Sequence, residues 1–391
     1  MNTAELSDII NSGETSKVQF KREYDNQDKI AAEMIAMSNT KGGMIIFGVE
    51  DKTGNVIGLD YSSLQTIGNK VATIANDLVK PQVYITTEVI SIGNESERKK
   101  VLIVYIGEGI SKPYKDNNGT IWIKQGADKR KLTDNIEIMR LFQQSGILFA
   151  DEMEVFGTSI DDIDEQYFSV YFQNEFKMSW QEKGLSYEEA LKAKRVLRNN
   201  RITLAGLLFF GKEPQNIRPT LTIKAVSFFG NDLSVNMYRS KPEDFKGTIP
   251  MLFKQGMDFF RSNLRHAQKG QDFNSIGILE VSETALVEVV QNALVHRDYF
   301  KNAPVRLFIF DDRVEIISPG KLPNALTIEE IRYGNPVIRN SQIAMFSSYT
   351  LPYSGLGSGL KRAINAQPDI EFINDTEGEQ FIVKIPREPM L

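Results

Sequence analysis

The chain has 391 residues, 41% hydrophobic and 25% charged, with a formal net charge of −5. That balance excludes disordered, collagen-like and low-complexity classes and predicts two or three domains, each with its own core. Cysteine is absent and His266 and His296 are the only imidazoles, which excludes disulfide scaffolds, zinc ribbons, thiol catalysis and a His-rich metal centre within one chain.

The first residues, 1–14, carry Glu5, Asp8 and Glu14 and lack a basic start followed by an apolar core, so no signal peptide is expected. The longest apolar run, 202–210, is too short to cross a bilayer. A soluble cytoplasmic protein without a membrane partner is expected.

Residues 1–140 read as mixed α/β. Ile30, Met34, Ile35 and Met37 recur at helical spacing over 29–38. A compact apolar run at 44–49, a turn at 52–55 and a second short strand at 56–59 follow. Further strands are predicted over 83–92, 101–106 and 120–124, and bases outnumber acids from Arg98 to Lys131. Residues 151–176 then hold eight acids and no Lys or Arg. That composition shift predicts an acidic helical connector over 141–199, docked by Tyr167, Phe168, Tyr171 and Phe172. Beyond it come a charged helical stretch at 187–198, an apolar run at 204–210 and a strand at 221–229. The last third predicts a helix over 283–295, a hairpin over 305–317, a Gly-rich stretch and a terminal hairpin turning at 375–378.

Within the 283–295 helix, Glu288 and Asn292 stand at i and i+4 and share a face, opposite Leu286, Val290, Ala293 and Leu294. An Asn in an apolar helix is a poor helix former and costly when buried without partners. Its carboxamide oxygen can ligate Mg²⁺, and Glu288 can take a proton from water. The bare spacing also describes a solvated polar stripe. Ser318, Pro319 and Gly320 follow a strand, and Gly355, Gly357 and Gly359 open a later helix, where alternate glycines let phosphate approach the backbone.

This order of motifs resembles the ATP-binding module of the gyrase, Hsp90, histidine-kinase and MutL superfamily. It is most similar to the RecG-like C-terminal variant. The resemblance covers about residues 200–391 and includes Arg201–Gly211, Ala293–Tyr299, Asn335 with Pro336, and Arg339 with Asn340. It implies a two-layer α/β sandwich that binds ATP and Mg²⁺. Glu288 would be the general base and Asn292 the Mg²⁺ ligand. Ser318 and Gly320 would lie at the base, the three glycines would wrap the phosphates, and residues 324–354 would form a lid. Ser318 stands where the superfamily carries an adenine-reading Asp, and Leu322 replaces a glycine. A hydroxyl contacts the adenine amino group without a charge-assisted bond. No G-x-x-x-x-G-K-[ST] string occurs, so helicase motor activity is not expected.

The N-terminal part has its own motif set: Glu14, Gln19, Phe20 and Lys21, then Asn39, Gly42, Gly43, Gly48 and Val49, then Gly58 with Leu59. Lys112, Pro113 and Tyr114 follow, with Trp122, Lys124 and Gly126. It resembles the Schlafen AlbA-type nucleic-acid-binding domain over about residues 8–135. Some Schlafen members cut RNA with three metal-binding carboxylates. Here Glu14 matches the first, Gln19 replaces the second and Asp51 is a looser third, so a binder is expected rather than a nuclease. Lys21, Arg22, Lys112, Lys124, Lys129, Arg130 and Lys131 are the candidates for phosphate contact, with Tyr114 or Trp122 stacking on bases. A solvated basic surface is the competing reading.

Together these features predict an α+β multidomain chain: an AlbA-like domain over 1–140 and an ATP-binding domain over 200–391. The predicted function is an ATP-responsive DNA- or RNA-binding regulator of transcription, stress or defence, with slow hydrolysis and homodimerisation as options. The alternatives are a metal-dependent nuclease and a scaffold that has lost its chemistry.

Overall fold

A computed structural model describes the chain except residues 52, 94–97, 234–236, 268–276, 324–325, 335–337, 356 and 388–391. It divides into two units, Met1–Leu148 and Phe149–Leu391, and the chain is an α+β multidomain protein.

In the first unit, β1 (Val18–Lys21) leads to α1 (Gln27–Asn39), whose start is capped by the Asn26 side chain. The turn into β2 (Gly43–Phe47) passes through Gly42 at φ 69°, where a Cβ would lie 2.7 Å from the Ile106 carbonyl oxygen. Only glycine fits that approach. Then come α2 (Tyr61–Asp77), β3 (Ile85–Ile92) and β4 (Lys99–Ile106). The strand order is β1-β2-β4-β3, with β1 and β2 parallel. Ile45 and Phe47 face α1 and α2, and Ile46 faces the opposite core with Phe20. A hairpin, β5 (Trp122–Gln125) and β6 (Asp128–Lys131), packs on α1. Asn39 ties it down by donating to the Tyr114 and Trp122 carbonyls at 2.8 and 2.9 Å. The strand expected at 56–59 is reduced to one bridge between Val49 and Val56.

The second unit begins earlier than the sequence implies. The stretch expected as a connector divides at Leu148, and from Phe149 onward it belongs to this unit. The reason is aromatic. Helix α3 (Glu165–Phe176) buries Phe168, Tyr171 and Phe172. Phe168 meets Phe210 of α4 (Leu204–Phe210) at 5.3 Å between ring centres, edge-on. The charged stretch at 187–198 stays helical only over Tyr187–Ala193.

Next come β7 (Ile223–Phe228), β8 (Tyr238–Ser240), α5 (Ile249–Asn263) and α6 (Glu283–Val295). They are followed by β9 (Val305–Ile309), β10 (Arg313–Pro319), α7 (Ile328–Tyr333), α8 (Ser341–Thr350) and α9 (Gly359–Ala366). The unit closes with β11 (Glu371–Asp375) and β12 (Gln380–Pro386). The strands form one six-stranded sheet in the order β8-β7-β9-β10-β12-β11, parallel only between β7 and β9. Helix α6 packs on β10, α5 and α9. The lid expected over 324–354 needs correction in its second half. Helix α8 buries Ile343 and Phe346 completely, and Phe346 meets the Tyr171 and Phe210 rings at 5.1 and 5.0 Å. Such a helix is core. Residues 324–325 of that stretch, and Asn335 with Pro336, lie outside the described residues.

Candidate functional site

In the second unit, α6 delivers Glu288 and Asn292 to the wall of a single pocket. Ser318 and Gly320 from the end of β10 line it, as do Gly355, Gly357 and Gly359 at the approach to α9. The space between these walls is about 1150 Å³ counting its open mouth. Ile316, Phe381 and Val383 give it an apolar side. Gly359 lies close against the α6 carboxylate. A Cβ there would stand 2.5 Å from Glu288 Oε2, so a larger residue would push that carboxylate from its present place.

The polar groups of the pocket are arranged as follows. The Ser318 hydroxyl donates to the Ala293 carbonyl at 3.0 Å, which uses its one proton and leaves its oxygen to accept. Asn292 donates through Nδ2 to the Glu288 carbonyl at 2.6 Å, which leaves Oδ1 as the side-chain atom that could hold a cation. The α9 N-cap, Ser358, makes no side-chain cap. The first amides of that helix are therefore without side-chain acceptors, as at helix ends that bind anions.

Arg362 was not singled out from the sequence. Its Nη2 lies 2.6 Å and its Nε 2.7 Å from Glu288 Oε1, and its Nη1 donates to Ser358 Oγ at 2.7 Å. The signal was helical spacing: Arg362 follows Ser358 by one turn of α9. A second pair joins His296 Nε2 to the Tyr353 hydroxyl at 3.1 Å. Burial holds the His296 imidazole down to about 4, and the Arg339 guanidinium adds to this. Burial raises the Tyr353 phenol, and the Glu288 charge adds to it.

The start of α8 is fixed from outside that helix. Asp151 Oδ2 accepts the Gln342 and Ile343 amides at 2.7 and 3.0 Å, and Asn340 donates to the Val295 and Arg297 carbonyls, both at 2.9 Å. Burial pushes the Asp151 carboxyl up to about 6, against the pull of those two amide bonds.

In the first unit the seven basic candidates do not form one face of free cations. Lys112 and Lys124 are corrections: both ammonium groups turn inward. Lys112 Nζ lies 2.6 Å from Glu108 and donates to the Thr40 carbonyl at 3.2 Å. Lys124 Nζ pairs with Glu33 at 3.3 Å and donates to Gln19 Oε1 at 3.0 Å. A buried cation without such partners would cost far more than the phosphate contact it forgoes. Lys129 also pairs with Glu33, at 2.6 Å, Arg130 holds Glu137 at 2.8 Å, and Lys21 holds Asp51 at 2.7 Å. Lys131 lies over the Trp122 ring at 5.4 Å, and Arg22 is exposed. Tyr114 is buried, whereas Trp122 is partly accessible.

The three positions matched to the Schlafen carboxylates are also engaged. Glu14 accepts the Gln19 side chain and, at 2.8 Å, the Phe20 amide. Gln19 thus bridges Glu14 to Lys124. Among the described residues no group of three or more His, Cys, Asp or Glu side chains is placed to hold a metal ion.

Comparisons with known proteins agree with both parts. The family described as "Schlafen, AlbA_2" matches residues 14–133. The family described as "Putative ATP-dependent DNA helicase recG C-terminal" matches residues 302–383, beginning after Glu288 and Asn292. The chain carries a Schlafen AlbA_2 domain and a RecG C-terminal-like domain. Between them, a domain of unknown function matches residues 139–223. An uncharacterized ATP-binding protein of Ureaplasma parvum is 36% identical over 78 residues, 19% of this chain and 22% of that protein. The DIP2311 protein from Corynebacterium diphtheriae aligns at a TM-score of 0.45 and 20% identity, over 99% of this chain and 69% of that one. Among the described residues no helix is long and apolar enough to cross a membrane.

Proposed function

We propose that the chain is an ATP-responsive nucleic-acid-binding regulator. In this reading the RecG C-terminal-like domain binds ATP with Mg²⁺, and its nucleotide state changes how the Schlafen AlbA_2 domain engages DNA or RNA. One observation carries the nucleotide half: Glu288, Asn292, Ser318, Gly320, Gly355, Gly357 and Gly359 line one pocket. The donor set fits the ligand. Ser318 Oγ accepts from the adenine amino group, and the uncapped start of α9 receives phosphate. Asn292 Oδ1 would supply an oxygen ligand to a bound Mg²⁺. That ion would neutralise charge building on the phosphate oxygens. Glu288 orients water and holds the proton it gives up. With one carboxylate and one amide, slow turnover is expected.

The nucleic-acid half rests on the AlbA_2 match, with Arg22, Lys131 and Trp122 as the contacts left accessible. Regulation of transcription, stress or defence, a cytoplasmic setting and dimerisation on closure belong to this proposal.

Calorimetry with ATP-Mg and a non-hydrolysable analogue tests it. The whole chain is expected to bind, and Asn292→Asp is expected to lose binding while keeping its unfolding transition. No heat and no protection from thermal unfolding would overturn the nucleotide half. Gel shifts at several salt concentrations, with and without ATP, test the coupling. An ATP-insensitive shift would overturn it.

A further inference from the structure

The ion pair inside the pocket has a consequence that rests on the nucleotide reading and goes beyond it. Glu288 is almost fully buried, while the Arg362 side chain is 41% exposed. A partly exposed guanidinium therefore grips a buried carboxylate within the pocket lining. It also donates to Ser358 Oγ at 2.7 Å and to Ser354 Oγ at 3.5 Å. One side chain thus spans the phosphate end, joining α6, the approach to α9 and α9 itself.

A guanidinium is a planar fork that matches carboxylate and phosphate equally well. A terminal phosphate carries more negative charge than a carboxylate. Brought to the start of α9, it competes for the same donors, one helical turn from Arg362. Other charged or titratable groups lining the pocket are Lys321, Arg339, His296 and Tyr353. Glu288 is the only carboxylate lining it among the described residues.

We infer that Arg362 is a phosphate-sensing latch: it holds Glu288 in the nucleotide-free pocket and moves to the terminal phosphate of ATP, releasing that carboxylate. Arg362 is then a positioning residue that reads phosphate number, and the empty pocket keeps its base tied. AMP, which does not reach the latch, binds without breaking the pair.

A double-mutant cycle of nucleotide affinity tests this, using the full chain with ATP, ADP and AMP in Mg²⁺. Glu288→Gln removes the competing charge and is expected to tighten ATP several-fold while leaving AMP unchanged. Arg362→Ala is expected to lower the ATP-over-AMP preference by about tenfold, the size of one charge-assisted contact. The Glu288→Gln gain is expected to vanish in the Arg362→Ala background. Arg362→Lys is expected to recover part of the preference, as a point charge without the fork.

Equal loss of ATP, ADP and AMP affinity in Arg362→Ala, or no gain in Glu288→Gln, would overturn the latch while leaving the nucleotide site standing. Failure of the unmodified chain to bind any of the three would overturn both.

Discussion

In the second unit, residues up to 71 positions apart in sequence, from Glu288 to Gly359, converge on one pocket. In the AlbA_2 domain, residues chosen for the same kind of task scatter, and Lys112 and Lys124 are consumed inside the fold. The difference lies in what the sequence signal constrained. An acid and an amide one helical turn apart, followed by glycines at a helix start, are requirements on backbone geometry. A count of lysines is not, because an ammonium group goes wherever a carboxylate and carbonyls can satisfy it.

The largest expected effect attacks the AlbA_2 side. Lys124→Ala removes a buried cation from Glu33 and Gln19 and should cost about 3 kcal/mol or more of stability, read as a lower denaturation midpoint. If it instead left stability intact and weakened nucleic-acid binding, Lys124 would be an interface residue and the contrast would fail.

A mid-sized effect sharpens the other side. Asp151 titrates near 6 when folded, above its ordinary 3.8, so its contribution to stability is lost as pH rises through that window. His296, held down to about 4 from 6.5, works oppositely: its contribution is lost as pH falls through its window. Between about pH 4 and 6 the two slopes oppose. Asp151→Asn keeps an amide oxygen to accept from Gln342 and Ile343, and should unmask a stability that climbs with pH. His296→Phe should unmask the reverse. Each arm is worth on the order of 2 kcal/mol, measurable by urea denaturation across that range. Flat profiles in both variants would remove these two groups as the source.

The smallest effect concerns the accessible cations. Lys131→Ala should leave stability within about 0.5 kcal/mol and reduce the salt dependence of nucleic-acid binding by about one unit of slope. An unchanged slope would take Lys131 off the interface.

Much of the local structure was legible. The helix over 283–295 is observed with the same ends, because Ser282 caps it and its apolar face is continuous. The hairpin over 305–317 is observed with β10 extended to Pro319. Gly42, one of the motif glycines of the N-terminal part, sits at the positive φ of the tight turn from α1 into β2. What periodicity could not reveal was partnership between distant segments. Nothing local in an acidic stretch says that Asp151 will cap α8 or that Phe168 will meet Phe210. Nor does the spacing of α9 say whose carboxylate Arg362 will find. The lid fared worst in its second half, since 341–350 carries little polar–apolar contrast and only tertiary packing shows it to be core.

The borrowed cap on α8 bears on how such proteins can be cut and recombined. A piece beginning at residue 200 would keep the pocket glycines and the α6 pair, yet would leave two amides of α8 without their acceptor and take the Tyr171 ring from Phe346. The segment that carries the motifs is thus smaller than the packed unit, which begins at Phe149.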